Sequence, residues 1–145
     1  MFYGQYRFIN AENNRIQIPV AFQVLHASRV VFTQGFDRNL MILSVDVFEA
    51  LARLVMSLNI ADPLARSLQR MLLGNAIYCE IDPQGWFELP ATLKEFAGIT
   101  ANCVLVGQGK YLEAWSEAGW HHQELILLDA EANAQRFASL NLAGL

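Results

Sequence analysis

Cysteine, charge and long apolar runs are all scarce in this chain. Only Cys79 and Cys103 are present, each within an apolar strand-like run and neither in a C-x-x-C pair. That spacing argues against a multi-bridge disulfide scaffold and makes two buried free thiols in a reducing compartment the expectation. Asp, Glu, Lys and Arg make up 17% of the residues against 54% hydrophobic ones, and the mean hydropathy is +0.24. Such a composition does not describe a disordered chain, and it leaves apolar surface for an interface once a core is filled. Yet no apolar run reaches the roughly 18 to 20 residues that a membrane-spanning helix needs, because Arg53, Ser57 and Arg70 interrupt the longest stretches. Met1-Phe2-Tyr3-Gly4-Gln5 holds neither a basic leader nor a cleavable apolar segment, so the cytoplasm is the expected location, without membrane contact.

Catalytic constellations are missing too. No serine, cysteine or histidine stands in a recognised nucleophile setting, and no carboxylate pair is marked out as acid and base. His121, His122 and Glu124 form H-H-x-E, which lacks the i, i+4 histidine spacing of a zinc helix, and His26 is far away in sequence. Gly107-Gln108-Gly109-Lys110 does not make a phosphate loop, because Val104 stands five residues before Gly109 and Tyr111, not Ser or Thr, follows the lysine. The expectation is therefore no enzyme activity, no metal, no cofactor and no small-molecule substrate.

Nor is there a basic excess. The net charge is −4 and the pI about 5.3, unlike the strongly basic footprint of a monomeric nucleic-acid binder. The charge is unevenly spread, however. Residues 1–72 carry seven arginines against five acids, a balance of +2, while residues 73–145 carry three bases against nine acids, a balance of −6. An anionic partner is expected to meet the first half.

What the chain does have is a repeat. Arg15-Ile16-Gln17-Ile18-Pro19 recurs, altered, as Trp86-Phe87-Glu88-Leu89-Pro90, and Phe22 and Leu25 answer Leu93 and Phe96 at the same offset. With small gaps, Thr33-Gln34-Gly35 answers Gly107-Gln108-Gly109, and Ser44 with Phe48 answers Ser116 with Trp120. Two copies are too few for a solenoid, which needs about three or more to bury its faces. A pseudo-symmetric pair sharing one core fits 145 residues better.

Local pattern fills in the elements. Phe2, Tyr6 and Phe8 fall on one face of an extended segment, with Tyr3, Gln5 and Arg7 on the other. Residues 10–14 read as a turn, since asparagine tolerates left-handed angles, and a strand over residues 15–18 returns with Ile16 and Ile18 inward. Ile77, Cys79 and Ile81 repeat the first strand, and Asp82-Pro83-Gln84-Gly85 supplies the second turn. Pro19 and Pro90 mark the starts of short helices, and Gly98 the end of the second. Residues 30–34 and 40–44 predict a hairpin, matched by 103–106 and 111–115. Ser44 caps a helix whose face is Phe48, Leu51, Val55 and Leu58. Asp62-Pro63 opens another, with Leu64, Leu68, Met71 and Leu72 as its stripe and Arg66 and Arg70 outside. A weakly amphipathic tail follows residue 129.

The order strand, turn, Arg-x-x-x-Pro, short helix, hairpin, helix, repeated once, resembles the MraZ family of bacterial regulators, built on the swapped-hairpin barrel of the AbrB superfamily. The most specific stretches are Met1-Phe2-Tyr3-Gly4, the motif from Arg15 to Pro19, Asp62-Pro63-Leu64-Ala65-Arg66, and Arg70-Met71-Leu72-Leu73-Gly74-Asn75-Ala76. Asp82-x-Gln84-Gly85, Val104-Leu105-Val106-Gly107, Trp115 and Trp120-His121 follow in family order. The implied fold class is mainly β with short helices (α+β), a pseudo-two-fold double swapped-hairpin β-barrel with flanking helices. One compact unit would comprise a first repeat over residues 1–60, a linking helix over 61–76, a second repeat over 77–122 and a tail over 123–145.

The resemblance implies a cytoplasmic, nucleoid-associated regulator that binds double-stranded DNA at tandem promoter repeats of the division and cell-wall gene cluster, as a ring of like protomers. In the family each turn presents an aspartate four residues before an arginine, with lysine and glycine between. Here the first turn keeps Arg15 but has Ala11 at the aspartate position and Asn13 and Asn14 at the lysine and glycine positions. The second keeps Asp82, Gln84 and Gly85 but has Trp86 in place of arginine. The expected DNA-contacting set is Arg15, Asn13, Asn14, Arg7, Asp82, Gln84 and Gly85. Arg7 is open between a phosphate contact and an ion pair with Glu12. An indole cannot replace a guanidinium on phosphate or guanine, so Trp86, with Leu64, Leu68 and Met71, is expected at oligomer or partner contacts, and stacking on an exposed base is the other reading of Trp86. One rim is expected to offer guanidinium groups and the opposite lobe indole and the Glu88 carboxylate. A lone protomer with one or two phosphate contacts binds negligibly at physiological salt. A ring gains through effective concentration. Binding weaker than in a relative with both turns intact is the expectation, and a ring-former that has lost operator recognition and acts through protein contacts is the alternative.

Overall fold

The computed structural model describes residues 1–10 and 12–142; for residues 8, 9, 10 and 12 the backbone alone is described. Ala11, the side chains of Phe8 and Glu12, and residues 143–145 of the expected tail therefore lie outside the described structure. Eight strands form: β1 (Gln5–Asn10), β2 (Arg15–Gln17), β3 (Arg29–Gln34), β4 (Leu40–Ser44), β5 (Ile77–Glu80), β6 (Trp86–Glu88), β7 (Asn102–Gly107) and β8 (Leu112–Ser116). Helices are α1 (Val45–Met56), α2 (Pro63–Leu72), α3 (Ala91–Ala97), α4 (Glu117–Leu127) and α5 (Ala130–Phe137), with short 3-10 turns over Glu12–Asn14, Val20–Leu25 and Ala138–Leu140.

The strands pair across the repeat. A six-stranded antiparallel sheet runs β1-β7-β8-β4-β3-β5, and a separate two-stranded ribbon joins β2 to β6. Each copy thus sends its first strand to the other copy's hairpin, β1 to β7 and β5 to β3. The register carries the pseudo-dyad. Ile16 stands opposite Phe87, its own repeat counterpart, flanked by the equivalent pairs Arg15–Glu88 and Gln17–Trp86. In the large sheet Met41 stands opposite Glu113, flanked by Leu40–Ala114 and Ile42–Leu112. A hydrogen-bonded barrel does not close among the described residues, because β2 and β6 satisfy each other and leave β1 and β5 as sheet edges.

Alternation explains the ribbon's placement. Ile16, Ile18, Phe87 and Leu89 are buried while Arg15, Gln17 and Glu88 face out and Trp86 is half-buried, as a two-faced strand requires. The inward set meets Phe32, Leu105 and Leu112 from the sheet, and Phe22 and Leu93 from the short helical turns, in one cluster. Burying a side chain of this size contributes about 1.5–3 kcal/mol. Phe2 and Tyr6 pack edge-on to Phe22, at 5.7 and 4.9 Å between ring centroids, so the aromatic face expected for the first strand is confirmed at those two positions.

The outer sheet face is covered differently in the two copies. Over copy one, α1 and α2 bury Val31, Met41 and Leu43 with Phe48, Val55 and Leu72. The Ser44 hydroxyl caps α1 by accepting from the Val47 amide, and the Asp62 carboxylate caps α2 by accepting from Leu64. Thr33 donates to the Leu72 carbonyl at 2.7 Å and fastens the C-terminal end of α2 to β3. Over copy two, α4 alone brings Trp120 onto Trp115, Val104 and Val106.

Two expected apolar stripes are shorter than the pattern suggested. Leu58 falls beyond the end of α1 and is exposed, and Leu64 is 76% exposed. Leu64 sits in the first turn of α2, and the helix turns Ala65 and Leu72 inward instead. Of the two arginines expected outside, Arg70 is exposed, while Arg66 is half-buried and donates to the carbonyls of Ile60 and Ala61. The expected weak tail forms α5, in which no residue is buried.

Candidate nucleic-acid interface

The outward face of the β2–β6 ribbon gathers the side chains on which the sequence pattern placed function. Arg15, expected on one rim, and Trp86 and Glu88, expected on the opposite lobe, share this single face, because the two strands pair with each other. Arg15 leans along its strand toward the second turn. Its guanidinium carbon lies 5.2 Å from the centre of the Trp86 ring, and its Nη2 lies 3.8 Å from Asp82 Oδ2. Gln17 Nε2 donates to the Gln84 carbonyl at 3.0 Å. One cation on an indole face, with the Asp82 carboxylate beside it and Glu88 opposite in the register, leaves this face with a small negative balance. At such exposure the cation–π contact contributes about 0.5–1 kcal/mol and the ion pair no more.

The turns at the ribbon's two ends are built on different chemistry. In the second, Asp82 Oδ1 accepts from the Gln84 amide at 2.9 Å and the Trp86 amide at 2.8 Å, so this aspartate shapes the turn as well as facing Arg15. Gly85 has φ +89°, and a Cβ added there would meet His26 Nε2 at 2.5 Å, so both backbone angle and space require glycine. In the first turn Asn13 and Asn14 take φ +53° and +62°, the left-handed conformation that asparagine was expected to supply. Equivalent hydrogen bonds tie both turns across the pseudo-dyad: Leu89 N to the Asn14 carbonyl at 2.6 Å, and Ile18 N to the Gly85 carbonyl at 2.8 Å.

The remaining candidates lie elsewhere. Arg7, on β1, is paired with Glu124 of α4 and also donates to Gln5. The hydrogen bond from Arg7 holds the Glu124 carboxyl below its ordinary range, and the same bond raises the arginine's pKa. Leu68 and Met71 are half-buried against the protomer's own outer cluster, whereas Leu64 is free on the surface. His121 and His122 are exposed, and among the described residues no three ligand-type side chains come together around a metal-sized space. Both thiols are free. Burial pushes Cys103 up to about 12 and raises Cys79 by less. Among the described residues no helix is long and apolar enough to cross a membrane.

Comparison with known proteins identifies the family of the chain. The family model "MraZ protein, putative antitoxin-like" matches residues 72–140, essentially the second copy. Whole-chain relatives extend the match to the first. The Transcriptional regulator MraZ of Thermomicrobium roseum is 36% identical over 141 residues, covering 97% of this chain and 99% of its own. The Transcriptional regulator MraZ of Roseiflexus castenholzii is 38% identical over 138 residues, covering 95% of this chain and 94% of its own. The chain belongs to the MraZ family. Both of these relatives are named as transcriptional regulators.

Two residues of this MraZ chain matter to the turns and were not assigned to them by the sequence pattern. Lys94, from α3, donates to Asn14 Oδ1 at 2.9 Å, across 80 residues of chain. His26 packs on Gly85 and its Nε2 lies 3.2 Å from the Ile18 carbonyl. Ala97 is the residue at the repeat offset from His26, and it is buried in the shared core. The repeat register contained the signal, since it equates position 26 with 97, 14 with 85 and 23 with 94. Which pairs touch required the swap of strands between copies.

Proposed function

We propose that this chain is a DNA-binding transcriptional regulator that acts on tandem promoter repeats of the division and cell-wall gene cluster, as a ring of like protomers in the cytoplasm and at the nucleoid. Support for regulation comes from its family, whose members carry that name. Support for the surface comes from one observation, the ribbon face that holds Arg15 and Gln17 between two tight turns. A ribbon of two strands fits the major groove, where a guanidinium reads guanine or binds phosphate. Because Trp86 replaces a second guanidinium, each protomer brings few cations, and affinity depends on several protomers engaging adjacent repeats.

Apolar surface for assembly exists on the outer face. A groove of about 780 Å³ runs between α1 and the β7–β8 turn, bordered by Leu51, Leu54 and Tyr111. Leu54, Met56, Ile60 and Leu64 are further exposed apolar side chains along α1, the connection and the start of α2. Fluorescence anisotropy with the DNA upstream of the chain's own gene tests the reading. Salt-dependent binding that falls at least about tenfold in Arg15→Ala is the expected result, roughly the effect of one lost charged contact repeated around an assembly. No binding, or no loss in that variant, refutes it.

A second reading is favoured by the company Arg15 keeps. Asp82 and Trp86 engage its guanidinium and Glu88 stands opposite it in the register, which supports an assembly that has lost operator recognition and works through protein contacts. Tight operator binding, with no protein partner recovered in a pull-down, eliminates that alternative.

A further inference from the structure

Arg15 and Lys94 are the cations nearest the first turn in sequence and in contact, and the structure sends them in different directions. Arg15 is drawn along the ribbon to Trp86 and Asp82, at the base of the second turn. Lys94 stays, held 2.9 Å from the side-chain oxygen of Asn14, the residue before Arg15. The first turn therefore has a cation supplied from α3 of the other repeat, where its own loop sequence offers only Asn13 and Asn14.

We infer that Lys94 is a DNA-phosphate contact of the first turn, standing in for the cation that the loop itself lacks; this rests on the DNA-binding reading above. An ammonium has three donors, and Asn14 takes one of them. The tether fixes the ammonium at the turn, so less side-chain freedom is lost when a phosphate arrives. Local packing explains why the arrangement occurs at this end alone. Asn14 has room for a side chain that reaches Lys94, whereas its counterpart Gly85 lies under the His26 ring. The counterpart of Lys94 is the neutral Gln23, so the second turn has no cation of its own and only the Arg15 guanidinium, held by Trp86 and Asp82, lies at its base.

The test measures affinity for the upstream DNA between about 50 and about 200 mM salt for the intact chain and for Lys94→Met, Lys94→Arg, Asn14→Gly, Arg15→Ala and, as a control on α1, Arg53→Ala. Each phosphate contact adds about 0.9 to the slope of log affinity on log salt. Losing Lys94 should therefore flatten the fall in affinity over that range by about threefold for each protomer engaged. Lys94→Met is expected to show that flattening, Lys94→Arg to restore the slope, Arg53→Ala to keep it, and Asn14→Gly, which removes the tether, to flatten it less than Lys94→Met does. Thermal melting of the same variants separates a folding defect from a lost contact, and Lys94→Met retains most of the apolar stem. An unchanged slope in Lys94→Met beside a reduced one in Arg15→Ala overturns the inference and leaves DNA binding standing. An Asn14→Gly variant that reproduces the whole slope change overturns it too, because Lys94 would then only shape the turn. Absence of salt-dependent binding by the intact chain overturns both.

Discussion

The two ends of the β2–β6 ribbon answer each other in the sequence repeat and are built differently. At one end a left-handed Asn14 carries a side chain, Ala97 occupies the position that answers His26, and Lys94 adds a charge. At the other, His26 fills the space, Gly85 is obligatory, and Trp86 with Asp82 receives the arginine from the far strand. Backbone hydrogen bonds across the dyad are the same at both ends. The contrast teaches that a duplicated fold fixes the backbone twice, while each pole's side chains are free to drift as long as the residue packed on the turn drifts with them. The outer faces diverge in the same way. Copy one is sealed by two helices and copy two by one, with α5 left outside the core.

The largest test of that asymmetry lies in the outer face. Leu72→Ala should cost about 2–5 kcal/mol, the usual range for a buried leucine, because Leu72 is 1% exposed beneath α1 and β3. Leu128→Ala, at the α4–α5 junction and 76% exposed, should change stability by less than about 0.5 kcal/mol. Urea titration of both variants checks the difference, and equal losses would mean that α5 is docked after all. Next comes the turn. Gly85→Ala should destabilise by about 2–3 kcal/mol, combining a left-handed angle with a clash on His26, whereas Asn14→Gly should stay within about 1 kcal/mol. Comparable effects at both positions would erase the distinction between the poles.

A change of about tenfold is expected from Trp86→Arg, which restores a guanidinium to the second turn and should tighten binding to the upstream DNA by adding a phosphate or guanine contact. Anisotropy at fixed salt reads the gain, and weakened binding would show that Trp86 itself contacts the nucleic acid. The smallest effect concerns the thiols, both placed in the core that the copies share. Cys79 should be alkylated first in the native protein at pH 8, and Cys103 only after unfolding, as followed by mass spectrometry. The sign with pH follows from burial. The Cys103 pKa, raised from 9.0 to about 12, keeps the folded thiol neutral. Its contribution to stability is steady below pH 9 and is lost between 9 and 12, as the unfolded chain's thiol ionises and the folded one does not.

Much of this architecture was written in residue order. Period-two alternation gave β2 and β6 their inner faces, because Ile16, Ile18, Phe87 and Leu89 cannot all be exposed. Serine before an acidic first turn placed α1, and asparagine in the first turn supplied the left-handed angles. The stripe of α2 was legible only in part. Its period is helical from Leu64 onward, but whether the first turn finds anything to cover depends on where the neighbouring elements end, and nothing lies over Leu64.

Residue order by itself determined most of the elements, the inward faces of β2 and β6 and the left-handed first turn, and its motifs carried the family resemblance. Tertiary structure alone decided that β2 pairs with β6, and with it that Arg15 meets Trp86 and Asp82 on one face and that Lys94 reaches Asn14 from 80 residues away. The reason is physical. Alternation and turn preference are short-range properties of adjacent residues, whereas a strand edge accepts either its own hairpin mate or the equivalent strand of the other copy, and only burial of the shared core by the whole chain selects between them.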